Sequence, residues 1–426
     1  MMGGKGRPKA RGRRALGLMV ALALLSAVIV LGVPRLVPGE RLAAQVAEAL
    51  ATATGARVTV ASASATLIGG PGLQLRGVRL DGGDAWQVAL ESVEVSLAVA
   101  PLLSRALVVD RLLATGPAGA AKIGRRTVAL TSFTVEASGL GLALPTAAGG
   151  PLGASGTADP GAGWPGSLRG MVAVRASQVA IGDMALAEVA AEVHPHGRRL
   201  AIDSATATCG GGDLAFDGTI DLGPVPAAWA GSLRLVGVGA AALLAEWAPE
   251  VAPLLDTRLT GDVSGAGLLA DNDASLRELR SEAHLGVGPG VVRAGPWLAG
   301  AEPYLGARQD LMDVRVTGGR LAVRIAEGRC LVDTLALRGP DTDWELAGTV
   351  DLVVPPGAAA EPALQMGVHL RLPPGYTPEL GSLAFFAEAL RDAEGRINLD
   401  LGLRGPVADP GVTLDLAAMS RRMRSR

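Results

Sequence analysis

Apolar and polar residues alternate through most of the sequence after Gly55, in short stretches that end at glycine, proline or aspartate. The clearest stretch is residues 93–99, where valine or leucine occupies every second position. Successive side chains of a β-strand point to opposite faces, so a period of two predicts strands with one apolar face. The chain is therefore predicted to be mainly β, an antiparallel sheet with a few short helices.

The alternation is interrupted in ways that divide the chain into blocks. Residues 146–166 are rich in Gly, Pro, Ala and Ser without a period, which predicts a linker. The predicted organisation is then an N-terminal block with an amphipathic helix (35–145), a middle β block (167–238) and a C-terminal β block with helices (239–418). The basic tail, 419–426, is expected to be disordered.

Two details of the strand pattern add to this organisation. The alternation changes phase by one residue after Val60, which predicts a bulge or a sheet edge. Residues 216–222 and 346–352 both read x-x-Gly-Thr-β-branched-Asp-Leu, and a weaker copy begins at Gly261. Such recurrence favours an architecture extended by repetition, although generic strand chemistry is the other explanation.

Residues 15–34 contain no charged side chain and follow six basic residues within residues 1–14. Twenty helical residues span about 30 Å, the thickness of the hydrocarbon core of a bilayer, so a transmembrane helix is predicted. The basic residues place the tail 1–14 in the cytoplasm and the rest of the chain on the other side. A cleaved signal peptide is the alternative, but the apolar run is longer than its usual core. The predicted anchor residues are Arg13, Arg14, Leu16, Leu18, Leu22, Leu24, Leu25, Val28, Ile29, Val30 and Leu31.

Residues 40–54 carry an apolar stripe at helical spacing that includes Leu42, Val46 and Leu50, and Gly55 follows where a helix would end. An amphipathic helix is predicted at the membrane exit. Two interpretations remain open for its stripe. It lies on the bilayer surface as a candidate lipid-entry helix, or it packs on the following sheet.

Composition restricts what the apolar face can meet. Hydrophobic residues make up 49 % of the chain but aromatic residues only 3 %, so the face is aliphatic. The net charge is −2, and because residues 1–14 carry +6 the remainder carries −8, which gives no basic face for nucleic acid. An apolar face has to be covered by a second sheet, a partner protein or lipid, and the alternation alone does not choose among them.

The sequence lacks the usual signatures of catalysis and metal binding. It has no HExxH or CxxC motif, no Walker spacing and no nucleophile elbow, and His194 and His196 alone do not make a zinc site. Cys209 and Cys330 lie far apart, so two free thiols are expected, although a single bridge is possible. We therefore expect no enzyme activity, no metal and no cofactor.

The order of these features resembles the AsmA family, bacterial proteins anchored in the inner membrane with large β-rich periplasmic regions. After the two helices, the resemblance is carried by residues 54–60 (TGARVTV), 73–80 (LQLRGVRL), 93–105 (VEVSLAVAPLLSR) and 108–113 (VVDRLL). Near the C-terminus it is carried by residues 254–265, 348–352 (GTVDL) and 401–412 (LGLRGPVADPGV). The C-terminal half is also similar to the N component of type II secretion systems.

The resemblance implies an elongated, twisted β groove with an apolar concave face and no catalytic residues. It implies a protein of the inner membrane with a cytoplasmic N-terminus and a periplasmic bulk, which shields or transfers phospholipid or another envelope lipid, or supports outer-membrane assembly. A structural subunit of a type II secretion-like complex, with envelope or secretion proteins as partners, is the alternative. The candidate groove residues are Val58, Val60, Leu73, Leu75, Val93, Val95 and Leu97.

Overall fold

The computed structural model confirms a mainly β, antiparallel architecture with few helices. It describes residues 39–66, 71–98, 106–123, 126–143, 169–246, 249, 251–270, 273–293, 300–305, 313–340, 342–353, 363–376, 388–406 and 410–424. The described chain divides into two compact units. The first contains the residues up to 206 together with 218–228, and the second contains 207–217 and the residues from 229 onwards.

In the residues that the structure describes, the first unit has one helix followed by a meander of strands. The helix α1 is Gly39–Thr54, and the strands are β1 (Arg57–Thr66), β2 (Gly72–Asp81), β3 (Trp86–Leu97), β4 (Ala106–Ile123), β5 (Arg126–Ala143), β6 (Arg169–Ile181) and β7 (Met184–His196). Each of these strands pairs antiparallel with the next one along the chain. Strand β5 is continuous over 18 residues.

Strands β8 (Arg199–Cys209) and β9 (Gly212–Asp221) contribute residues to both units. The second unit adds β10 (Ala228–Gly239), β12 (Arg258–Leu268), β13 (Arg280–Val287), β16 (Gly318–Ala326), β17 (Arg329–Arg338), β18 (Asp343–Asp351), β19 (Ala363–Leu372), β20 (Ile397–Pro406) and β21 (Gly411–Leu414). From β12 to β21 these strands again form an antiparallel meander. A small sheet is inserted, made of β11 (Leu255–Asp256), β14 (Gly290–Arg293) and β15 (Asp313–Val316).

The structure describes four short helices in the second unit: α2 (Ala240–Leu244), α3 (Asp273–Glu278), α4 (Glu302–Leu305) and α5 (Leu416–Arg424). Among the described residues between 240 and 255, helix α2 and a 3-10 turn, Ala252–Leu254, are the helical elements, and Pro249 and Pro253 do not favour a continuous helix.

The predicted disorder of the basic tail is wrong, because residues 416–424 form helix α5. The carboxylate of Asp415 accepts a hydrogen bond from the backbone N–H of Ala418 at 2.8 Å, which caps the helix. Met419 is buried in the core of the unit, and Arg422 forms an ion pair with Asp400. These contacts depend on strand β20 and therefore leave no signal within the tail itself.

The phase change after Val60 extends across the whole first unit. Pairs of consecutive exposed residues occur at the same level of five strands: Ala61–Ser62, Arg76–Gly77, Pro117–Ala118, Thr131–Ser132 and Ser177–Gln178. Glu91 of β3 and Glu188 of β7 continue this row, which we call the phase-change line. The register of β1 against β2 is unbroken across it, with Val60 opposite Val78 and Ser62 opposite Arg76, so no residue is inserted.

The backbone conformation explains how the same face stays apolar on both sides of the phase-change line. Gly77, Ser132 and Glu188 have φ values of 59°, 46° and 52°, in the left-handed region. A residue in this conformation rotates its strand, so that the side chains of two neighbouring residues both point to the outer face. The alternation then continues with its apolar residues on the original face. A Cβ atom at position 77 would lie 2.8 Å from Cβ of Ala61, which favours glycine there.

The repeated sequence pattern has a structural counterpart at Gly348 and at Gly261, where its weaker copy begins. Gly348 and Gly261 share φ values of 154° and 151°, and a Cβ atom on either would lie about 2 Å from the carbonyl oxygen of the neighbouring strand. Gly218, the glycine of the better sequence match, is not among the glycines with positive φ. The shared feature is thus a close backbone approach at Gly261 and Gly348.

The predicted transmembrane segment, residues 15–34, and the predicted linker, 146–166, lie outside the described residues. Among the helices that the structure describes, none is both long enough and apolar enough to cross a membrane.

Candidate apolar binding face

Helix α1 covers one end of the apolar face of the first unit. Leu42, Val46 and Leu50 are 5 %, 0 % and 1 % exposed and pack in one cluster with Leu75 and Val93 of the sheet. The structure thus favours the interpretation in which the stripe packs on the following sheet. In this arrangement the three side chains are enclosed by protein, so a role as lipid-entry residues that face the bilayer requires α1 to leave the sheet.

The candidate groove residues lie in the same enclosed region. Leu73, Leu75, Val93, Val95 and Leu97 are at most 2 % exposed, and Val58 and Val60 are half-buried at its margin. All seven share one face of the sheet, as the alternation predicts. They form the closed part of that face, with α1 packed on β1.

The open part of the apolar face was not selected from the sequence and lies further along the sheet. Phe133, Ala176 and Val179 are buried there, surrounded by half-buried Val88, Leu90, Val128, Leu130, Val135, Ile181, Leu186 and Val189. We call these eleven residues the open strip. It runs from β3 to β7, four strand spacings or about 19 Å. The one helix that the structure describes in this unit, α1, packs on β1 at the other end of the sheet.

The lining of the open strip is aliphatic except for Phe133, whose ring packs over the small residues of β4. A Cβ atom at Gly116 would lie 2.6 Å from the ring, and one at Gly119 would lie 3.5 Å from it. The glycines therefore provide the space in which the ring lies flat along the sheet. Around this ring, the half-buried side chains of the open strip are branched and aliphatic, so they offer an apolar group no directional polar contact.

The second unit repeats this arrangement with a larger closed part. Its core contains Leu370, Ile397, Leu399 and Leu401, each at most 1 % exposed, and the small sheet and helix α4 pack on it through residues such as Leu305. The hydroxyl of Tyr376 donates a hydrogen bond to the carbonyl oxygen of Leu305 and so ties α4 to the main sheet. Half-buried aliphatic residues border the core: Leu285, Leu335, Leu346, Leu364, Met366, Val412 and Leu414.

A charged network stabilises the opposite face of the second unit. Asp400 is 5 % exposed, and its carboxylate lies 2.9 Å from Nδ1 of His369 and 3.3 Å from Nη2 of Arg422 in α5. Burial raises the pKa of Asp400, but the hydrogen bonds from His369 and Arg422 outweigh it, so the net shift is downward. This pair of contacts holds α5 against β20.

Asp392 is the second anchor of this network. Burial acts to raise its pKa, but the backbone N–H groups of Arg396 and Glu394 and the guanidinium of Arg371 donate hydrogen bonds to it and lower the pKa to about 2. Arg371 also lies 2.9 Å from Glu394. The carboxylate is therefore ionised at all pH values at which the protein is expected to function.

The groups that could carry chemistry are dispersed. Among the described residues, no three His, Cys, Asp or Glu side chains are grouped as metal ligands. His194 lies 3.3 Å from Asp203 in a single pair. Cys209 and Cys330 are free thiols, and burial raises the pKa of each, which keeps them protonated at neutral pH.

No known protein family, curated protein or solved structure matches this chain.

Proposed function

We propose that this chain is a non-enzymatic protein of the bacterial cell envelope that shields or transfers phospholipid, or another envelope lipid, on the apolar face of an elongated β groove. The observation that carries the proposal is the open strip, an aliphatic surface about 19 Å long at the end of the sheet away from α1. The predicted anchor at 15–34 and the order of features that resembles the AsmA family support an inner-membrane location with a periplasmic bulk.

The physical argument is that an aliphatic surface favours aliphatic ligands. Each CH₂ group transferred from water to such a surface contributes about 0.8 kcal/mol, so a chain of a dozen carbons gains enough to remain bound even when it is half covered. No polar anchor is needed, because the affinity is proportional to the apolar area removed from water.

Site-specific photocrosslinking tests the proposal. A photoreactive phenylalanine analogue is placed at Leu130 or Leu186 of the open strip, and, as a matched control on the same strand, at Thr131, which is exposed on the opposite face. Full-length protein is then crosslinked in cells, and the adducts are identified by mass spectrometry. We expect lipid adducts at Leu130 and Leu186 and none at Thr131.

Other outcomes would decide against the proposal. Equal lipid adducts at all three positions would indicate non-specific exposure to membrane. Protein adducts confined to Leu130 and Leu186 would instead support the alternative, a structural subunit of a secretion-like envelope complex whose partner covers the open strip. The absence of any adduct at Leu130 and Leu186 would show that neither lipid nor protein occupies the surface.

A further inference from the structure

A cleft of about 720 Å³ lies on the face of the second unit opposite its core. Strands β16 to β19 contribute to it, and His369 and Arg371 line it while their neighbour Leu370 points into the core. The floor is low because two diagonal neighbours on this face, Gly318 of β16 and Ala336 of β17, are small residues. The nearest atom to a Cβ atom built at Gly318 is 3.7 Å away, so the space above this glycine is open.

Two arginines stand on either side of this floor. Arg320 is opposite Ala336 in the register of β16 with β17, and Arg338 is opposite Gly318. They are diagonal neighbours, which places their Cβ atoms about 7–8 Å apart on the same face. Both side chains are exposed, and neither forms a hydrogen bond or ion pair with any residue that the structure describes.

The other charges of the cleft are already partnered, with one exception. Asp343 accepts a hydrogen bond from Nη1 of Arg396 at 3.2 Å, and Arg371 is bound to Asp392 and Glu394. The exception is Glu345, which is exposed and likewise without a partner among the described residues. The unpartnered groups are thus two guanidinium groups and one carboxylate, a surplus of one positive charge.

We propose that this cleft binds a phosphate group through Arg320 and Arg338. A guanidinium presents a planar fork of N–H donors that matches two phosphate oxygens, and two forks at this spacing can hold one phosphate from both sides. The phosphate belongs to a lipid headgroup or to a free phosphate compound, since both present the same oxygens. This inference does not depend on the open strip, which lies in the other unit.

The test is calorimetric titration of the full-length protein with inorganic phosphate and with glycerol 3-phosphate at low ionic strength. Arg320→Gln and Arg338→Gln are each expected to raise Kd about tenfold, because each removes a charge-assisted contact. Glu345→Gln is expected to lower Kd about two- to threefold, because it removes a like charge about 7 Å away in water. Arg404→Gln removes an exposed arginine of the same unit outside the cleft and serves as the matched control.

Flotation with vesicles of phosphatidylcholine, with and without 20 % phosphatidic acid, distinguishes the two sources. If flotation requires phosphatidic acid and Arg320→Gln weakens it, the bound phosphate is that of a lipid headgroup. If the protein binds phosphate but does not float with these vesicles, the ligand is a free phosphate compound. The proposal is overturned if phosphate does not bind at 20 mM, if Arg404→Gln is as damaging as Arg320→Gln, or if Glu345→Gln weakens binding. Thermal melts establish that each variant is folded.

Discussion

The packing of helix α1 on the sheet is open to a direct test through Leu50, which is 1 % exposed and contacts the sheet cluster. Leu50→Ala leaves a cavity and is expected to destabilise the first unit by about 3 kcal/mol, within the range of 2–5 kcal/mol for buried leucines. Amide hydrogen exchange followed by mass spectrometry is the suitable assay, because it reports each strand separately. A loss of about 3 kcal/mol accelerates exchange in β1 to β3 about 100-fold.

The control is Gln45→Ala, which alters an exposed residue of the same helix and should leave exchange in β1 to β3 unchanged. The competing interpretation, in which α1 lies on the bilayer, predicts a different pattern. Leu50→Ala would then weaken membrane association of the helix without affecting the strands. Unchanged exchange in β1 to β3 would therefore refute the reasoning from burial, and with it the division of the apolar face into closed and open parts.

Two further predictions concern the backbone and the charged network. Glu188 has φ of 52°, so Glu188→Gly is expected to relieve a left-handed conformation and stabilise the first unit by about 0.5–1 kcal/mol in urea unfolding, whereas Glu188→Val should destabilise it. The pKa of Asp392 is held at about 2, below its unfolded value near 3.8, so its contribution is complete above pH 4 and is lost as the pH falls through 2. Asp392→Asn should therefore lower the unfolding free energy at pH 7 and flatten its dependence on pH between 4 and 2. If the unfolding free energy of Asp392→Asn still depends on pH between 4 and 2 as strongly as that of the unmodified protein, the low pKa does not belong to Asp392.

The strand pattern of this chain was readable from sequence because alternation is a local property. Residues 93–99 predict their strand and its apolar face without reference to any partner, and the structure places Val93, Val95 and Leu97 in the core as expected. The phase change at Val60 was also visible in one strand. Its continuation through Gly77, Ser132 and Glu188 was not, because only the register shows that these positions are neighbours.

What covers an apolar face is a long-range property, and the sequence left it open. The stripe of α1 fits a bilayer and a sheet equally well, since both offer an apolar surface. The alternation is clearest at candidate groove residues such as Val93, Val95 and Leu97, and these lie in the closed part of the face. The strands of the open strip contain more alanine, a weaker signal typical of half-exposed positions.

The phase-change line crosses both the closed and the open part of the apolar face, because it runs from β1 to β7. In three of these strands a residue on the line has a left-handed backbone conformation, which reverses the alternation at one level of the sheet. Gly77 permits this without strain, but Ser132 and Glu188 adopt it as non-glycine residues in the left-handed region, at about 1–2 kcal/mol each. A chain that maximised stability alone would carry glycine at those positions. Strand pairing and packing on both sides must therefore hold Ser132 and Glu188 in this conformation, because each residue on its own favours a negative φ. The phase-change line crosses the open strip, with Leu130 and Phe133 on either side of it in β5, so the reversal of the alternation at this level keeps both side chains on the apolar face.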